Sequence, residues 1–246
     1  MIAINGGIIM GKNGGHGRTT VSADELEAIP LFASLSEAQR ERIAQEASVE
    51  SIAVGGLYFS ERTASTGFHI LLSGRVKLFK VAEDGKEQTI YIFGPGEPFC
   101  LCSEFSDGQL PANLTALESS RVLVLAPQPF ERLSQKDPAI LLALLRIVSR
   151  RLKEAMEMID ALSLKQIPSR IAAYLLTHAQ GESIRLGITH REFSKIIGVT
   201  PEALSRTLTK MTKSGLIKQG DGEIRIIERR LLEDCRDGSC AVVTKE

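Results

Sequence analysis

The stretch 189–215, THREFSKIIGVTPEALSRTLTKMTKSG, decides how the chain is read. Thr189, with Glu192 three residues later, has the spacing of a capping box that opens a helix. Phe193, Ile196 and Ile197 supply its inner face. Gly198 stands where a helix ends on a left-handed residue. Thr200-Pro201 restarts the chain, with Thr as N-cap and Pro at the first helical position. The second helix is predicted to run to about Ser214 and to close on Gly215, with Leu204, Leu208 and Met211 facing inward. Two short helices joined around a Gly turn make a helix-turn-helix. Downstream, Leu216-Ile217-Lys218, Gly220-Asp221-Gly222 and residues 223–227 spell a hairpin, which adds a wing.

The charge around this motif points to DNA. Residues 185–230 carry ten Lys and Arg against five Asp and Glu, a local charge of +5, whereas the whole chain has 30 of each and is neutral. A globally basic nucleic-acid binder is excluded and a locally basic one is not. Glu202, Ser205 and Arg206, at i, i+3 and i+4, share the outer face near the start of the second helix. In a major groove Arg206 pairs with guanine O6 and N7, and Glu202 accepts from cytosine N4. The alternative is that Glu202 only favours the helix dipole and Arg206 is a solvated charge; the neighbouring wing and the helical seam upstream decide for DNA. Thr189, Arg191, Thr200, Lys210 and Lys213 are the expected phosphate contacts.

Upstream, Asp137-Pro138 starts a long helix. Leu141, Leu145, Val148, Leu152, Ala155, Ile159 and Leu162 recur at alternating steps of four and three. That 3.5-residue repeat predicts a coiled-coil seam for a homodimer. Leu142, Leu144, Ile147, Met156 and Met158 lie off the seam and are assigned to the chain's own barrel. Gln166 ends the helix and Pro168 marks a hinge. Residues 49–125 read as short β runs at 68–73, 76–81, 87–93 and 121–125, punctuated by Ser73-Gly74, Asp84-Gly85 and Gly94-Pro95-Gly96. Residues 22–47 read as helical, with Ser22 and Glu25 as a capping box. The Gly-rich start, with His16 in it and Met10 as a second possible initiator, reads as a flexible tail.

The fold class expected is therefore α+β: an N-terminal antiparallel β-barrel or jelly roll, a long dimerisation helix and a C-terminal winged helix-turn-helix. The boundaries are a tail at 1–22, an effector-sensing barrel at 23–136, the dimerisation helix at 137–166, the DNA-binding unit at 167–234 and a polar tail at 235–246. The 246 residues are 43% apolar and 24% charged, values for a globular protein. No run approaches ~18 apolar residues, so no membrane partner is expected. The N-terminus has neither the basic nor the apolar region of a signal peptide. Four Cys in a chain this long form no disulfide framework, which predicts a reducing cytoplasm.

Barrel, long helix and winged unit, in that order across residues 24–235, resemble the catabolite-activator and fumarate/nitrate-regulator superfamily of bacterial transcription factors. The run TPEALSR at 200–206 is similar to that family's recognition helix. Its Glu-x-x-Ser-Arg form resembles the fumarate/nitrate subgroup, because the catabolite-activator subgroup has Arg where Pro201 stands. The resemblance implies a dimer on double-stranded DNA, half-sites resembling TTGA and TCAA, and RNA polymerase as a partner. Cyclic-nucleotide sensors of the family carry Gly-Glu for the ribose and Arg-Ser or Arg-Thr for the phosphate. Those positions fall on Cys100-Leu101 and Pro111-Ala112, so the effector expected is not cAMP; an unpaired buried phosphate is costly. The tail has no Cys, so the N-terminal iron–sulfur cluster of the fumarate/nitrate regulator is not expected.

Phe99-Cys100-Leu101-Cys102-Ser103 is similar to the haem segment of the carbon-monoxide-sensing branch, Phe-Cys-x-His-Ser. Cys100 falls on its thiolate ligand and Cys102 replaces its His. Three readings stay open for these Cys: small buried barrel residues, ligands of haem or a metal (with His16, His69 or Cys102 opposite Cys100), and redox-sensing thiols. Cys100, Leu101, Cys102, Pro111 and Ala112 are thus the expected effector-pocket residues. Cys235 and Cys240 receive no role; a disulfide and surface thiols are both open. An enzyme, such as a cupin-like metal barrel, is disfavoured because His16, His69, His178 and His190 supply no His-x-His pair. A cyclic-nucleotide module without DNA binding is disfavoured by the wing and by Glu202, Ser205 and Arg206.

Overall fold

The computed structural model describes residues 20–65, 67–105, 108–220 and 222–240, apart from the side chains of residues 102 and 103. The expected tail at 1–22 lies largely outside these residues, but its end does not behave as a tail. Val21 is buried, and Ser22 caps α1 (Ala23–Glu27) through a complete capping box with Glu25. The helical pattern expected over 22–47 is divided into two helices. Ile29 precedes Pro30 and adopts an extended backbone, as a residue before proline prefers, and a 3-10 turn follows at Pro30–Phe32. The helix α2 (Glu37–Glu46) then starts from a second capping box, Ser36 with Gln39.

The sheet region contains β1 (Ser48–Ile52), β2 (Leu57–Phe59), β3 (Phe68–Ser73), β4 (Val76–Val81), β5 (Glu87–Phe93), β6 (Pro98–Phe99), the short helix α3 (Leu101–Phe105), β7 (Asn113–Ala116) and β8 (Ser120–Leu125). The strands pair antiparallel into two four-stranded sheets, ordered β1-β8-β3-β6 and β2-β7-β4-β5. The four longest runs appear where the apolar pattern places them, while β1, β2, β6 and β7 were not individually expected. One sheet is central because β3 buries both of its faces. Leu71 packs between the sheets with Ile52, Val76, Phe93, Phe99 and Val122. Phe68 and Ile70 pack outward against Leu26, Phe32, Phe130 and Ile140 of the covering helices. Each such side chain taken from water contributes roughly 1.5–3 kcal/mol. Gly74 shows how tightly the strands turn: its φ is +87°, and a Cβ there would lie 2.5 Å from the Ser119 carbonyl oxygen.

α4 (Pro127–Lys136) leads into α5 (Ala139–Leu164), a helix of 26 residues. Ile140 and Leu144 are buried on the barrel, with Ala143 and Ile147 beside them. Leu142 and Met156, expected on that same face, are instead largely exposed. At 3.6 residues per turn the barrel stripe is narrow and those two fall outside it. Lys165 and Gln166 separate α5 from α6 (Ile167–His178), so Pro168 lies inside the first turn of α6, where its missing N–H costs nothing.

The last unit contains α6, β9 (Ser183–Arg185), α7 (His190–Ile197), α8 (Pro201–Lys213), β10 (Ile217–Gly220), β11 (Glu223–Ile226) and α9 (Arg229–Arg236). The wing is three-stranded, ordered β10-β11-β9, because β9 adds to the expected hairpin. The polar tail expected from residue 235 is corrected as well. Cys235 lies in the last turn of α9, fully buried in the same core as Phe193, Leu204 and Leu232, and it is bonded to Cys240. Leu232 and Cys235 are three apart and share the buried side of α9.

Candidate nucleic-acid interface and sensor site

The helix α8 is set by its N-terminus and its buried side. The Thr200 hydroxyl accepts from the Ala203 amide at 3.2 Å, and Pro201 occupies the first turn. Leu204, Leu208 and Met211 have no exposure and lock the helix onto the core. Glu202, Ser205 and Arg206 then stand exposed on the opposite side. The Glu202 carboxyl is held below its ordinary range by its own backbone amide and the Thr200 hydroxyl, with Arg206 adding a smaller pull. It is therefore an anion at neutral pH, in the state that accepts from a cytosine amine. Thr189, Arg191, Thr200, Lys210 and Lys213 are also exposed.

The preceding helix differs from expectation in one respect. Thr189 caps α7, its hydroxyl accepting from the Glu192 amide, but Glu192 does not bond back to complete the box. Its carboxylate is taken by two lysines, Lys77 of β4 at 2.8 Å and Lys195 at 2.8 Å. Lys77 also pairs with Glu87 of β5, and Lys195 bonds Glu87 at 2.8 Å. Two lysines and two glutamates thus close a ring between the jelly roll and α7. Burial alone pushes the Glu192 carboxyl up, and the hydrogen bonds from Lys195 and Lys77 outweigh it and hold it low. Burial lowers Lys195, and its bonds to Glu192 and Glu87 outweigh that and hold it high.

Further contacts tie the same surfaces. Gln88 donates to the Ile196 carbonyl at 3.2 Å, and Arg75 to the Gly187 carbonyl at 3.0 Å. Sequence reading missed Lys77, Glu87, Gln88 and Arg75. The one available signal is Lys77 beside Val76 at the start of an apolar strand, where a lysine needs a partner to be buried.

On α5, Leu141, Leu145, Val148, Leu152, Ala155 and Ile159 are exposed in a single protomer. Leu162 is half-buried, and a Cβ added at Gly198 would lie 2.8 Å from its Cδ2. The final seam position therefore faces the chain's own helix-turn-helix.

The expected effector residues are divided between two cores and the surface. Cys100 belongs to the core between the sheets and Leu101 to the core under the helices. Ala112 is buried, Pro111 is exposed, and the Cys102 side chain lies outside the described residues. Cys100 adopts φ +60°, a left-handed conformation in which a non-glycine residue is uncommon. It is 8% exposed, among Leu71, Phe93, Phe99 and Leu110. His69 is buried among Tyr58, Phe59 and Phe99, its Nδ1 3.2 Å from the Gly67 carbonyl. Burial holds its imidazole below the ordinary value, against the opposing pull of Glu50. Among the described residues no group of three His, Cys, Asp or Glu is arranged to hold a metal.

A jelly roll of the nucleotide-sensor type, a long helix with an exposed apolar seam and a winged helix-turn-helix with a free reading face define a DNA-binding regulator. Residues 50–137 match the cyclic nucleotide-binding domain and residues 169–235 the Crp-like helix-turn-helix domain. The chain is 30% identical over 181 residues to the cyclic AMP receptor protein of Thermus thermophilus, covering 73% of this chain and 84% of that one. It belongs to the CRP/FNR family of transcription regulators. Solved structures show the same fold. A CooA mutant from Carboxydothermus hydrogenoformans has a TM-score of 0.70 at 20% identity, covering 82% of this chain and 90% of that one. FixK2 from Bradyrhizobium japonicum has 0.67 at 21% identity, covering 77% and 96%. No helix among the described residues is long and apolar enough to cross a membrane.

Proposed function

We propose that this chain is a homodimeric transcription regulator of the bacterial cytoplasm that reads an inverted repeat of TTGA-like and TCAA-like half-sites. The observation that carries this reading is the division of α8, with Leu204, Leu208 and Met211 fully buried and Glu202, Ser205 and Arg206 exposed. Arg206 reads the guanine, Glu202 the cytosine opposite, and Ser205 the adjacent T·A step. Thr189, Arg191, Thr200, Lys210 and Lys213 hold phosphate. Two α8 helices related by a dimer axis along α5 require half-sites about one helical turn apart. RNA polymerase is the expected protein partner.

The effector is not cAMP. Leu101 and Ala112 are buried and apolar where a ribose acceptor and a phosphate-side hydroxyl are needed, and Pro111 replaces the phosphate cation. Residues 1–99 contain no Cys, so this segment supplies no thiolate to an iron–sulfur cluster. The buried position of Cys100 favours a packing role over haem ligation.

Fluorescence anisotropy on a TTGA/TCAA inverted repeat tests both parts. Binding that weakens steeply with salt, and that micromolar cAMP leaves unchanged, is expected. A cAMP-dependent rise in affinity overturns the effector assignment, and equal affinity for scrambled DNA overturns the operator.

A further inference from the structure

We propose that Cys235 and Cys240 are a reversible dithiol–disulfide pair that controls the hinge between the dimerisation helix and the DNA-binding unit. The proposal rests on the proposed function: on DNA binding for its consequence and on the cytoplasmic location for the reversibility of its chemistry.

The two Cys are bonded, and both are buried, Cys235 in the last turn of α9 and Cys240 beyond it. The loop they close is compact. The Ser239 amide donates to the Asp234 carbonyl at 2.9 Å, Gly238 turns with φ +101°, and Arg236 binds Asp237 through two nitrogens at 2.7 and 2.8 Å. This loop has a specific neighbour. Arg236, Asp237 and Gly238 line an open pocket of about 380 Å³ together with Ser169 and with Leu164, Lys165 and Gln166. Those three residues are the end of α5 and the whole connection to α6. Arg170 of α6 already fastens the connection, donating to the carbonyls of Lys165 at 2.8 Å and Leu162 at 3.0 Å. The Asp237 carboxylate, bound by Arg236, also feels the charge of Lys165 across the pocket. The disulfide therefore lies one residue from a wall of the joint on which the helix-turn-helix is carried.

Disulfides in proteins that work beside cytoplasmic thiols are generally transient and redox-active. The exposed Gly238 and Ser239 permit the local opening that exchange requires. The co-reactant is a small thiol or its disulfide, such as the glutathione couple. In reduction, a thiolate attacks Cys240 Sγ, the Cys235–Cys240 bond breaks, and Cys235 leaves as a thiolate and takes a proton. A second thiolate then attacks the mixed disulfide, releasing Cys240 and a small-molecule disulfide; two electrons enter the protein. Oxidation is the reverse, with the small disulfide reduced to two thiols. The closed loop orders one wall of the hinge and so preorganises the paired reading helices. The oxidised protein binds operator more tightly, by about fivefold or more.

The test uses the full chain equilibrated in reduced and in oxidised glutathione. Alkylation with peptide mapping reports which thiols are blocked, operator anisotropy reports affinity, and amide hydrogen exchange reports the hinge. Oxidised glutathione is expected to block Cys235 and Cys240 together, slow exchange at residues 164–169 and tighten operator binding. Cys240→Ser, at the less buried end of the loop, is expected to remain in the weak-binding state in both buffers. Three results overturn the proposal: both thiols stay alkylated in oxidised glutathione, affinity and hinge exchange are the same in the two buffers, or Cys240→Ser keeps the redox response. If no buffer gives operator binding, the DNA-binding reading has failed, and hinge exchange alone still decides the switch.

Discussion

Gly198 is where three parts of the molecule meet at the level of one residue. It ends α7 at φ +77°, and an added Cβ would lie 2.8 Å from Leu162 Cδ2 of α5 and 2.9 Å from Gln88 Oε1 of β5. Gly198→Ala therefore combines left-handed strain with crowding that the ends of the Leu162 and Gln88 side chains must shift to relieve. A loss of about 1–3 kcal/mol is expected by chemical denaturation, with operator affinity falling alongside. A neutral effect means that the joint is looser than this packing. Gly198 was legible in the sequence as a helix terminator, because its offset from Thr189 and Thr200 is local. Its contacts were not, since they come from residues far away along the chain. The same limit hid Lys77. Its partner Glu192 read as half of a capping box, and only the folded chain shows the carboxylate turned toward β4.

Among elements, α5 carries the sharpest prediction. Leu152 and Ile159 are 63% and 65% exposed in a single protomer, on a stripe that repeats every 3.5 residues. Replacing both by Lys sets like charges face to face in a paired seam. Sedimentation should show monomer and operator affinity should collapse; an unchanged dimer refutes the assignment. This helix was readable because its signal is periodic and long. The strands β1, β2, β6 and β7 were not, being two to five residues each and defined by partners far along the chain. The second capping box, Ser36 with Gln39, had the same pattern as the first and could have been found. So could α9, whose Leu232 and Cys235 mark a buried side.

The ring of Lys77, Glu87, Glu192 and Lys195 joins elements of different domains and responds to pH. Glu192 has a lowered carboxyl, so its contribution is complete above the ordinary carboxylate value and is lost as pH falls through the lowered one. Lys195 has a raised ammonium, so its contribution is complete below the ordinary lysine value and is lost as pH rises through the raised one. Docking of α7 on β4 and β5 should thus be constant between about pH 5 and about pH 10. Lys77→Glu places three carboxylates together, and the radius of gyration by small-angle scattering should rise at pH 7. The same radius for variant and wild type shows that the ring does not hold the domains together.

For the whole molecule, the central claim is that a neutral chain concentrates its DNA recognition on α8 and the cations around it. The division of labour among these side chains is testable. Lys213→Ala, at a proposed phosphate contact, should weaken all sequences alike and reduce the salt slope by about one. Arg206→Ala should cost about 1–3 kcal/mol per half-site and relax selectivity at one base pair only. The most direct measurement is selection from random DNA with wild type and with Arg206→Ala in parallel. Wild type should enrich an inverted repeat with a fixed G·C pair in each half-site, and Arg206→Ala should keep the repeat while losing preference at that pair. Equal enrichment of that pair by both proteins contradicts the account, because another residue then reads the base.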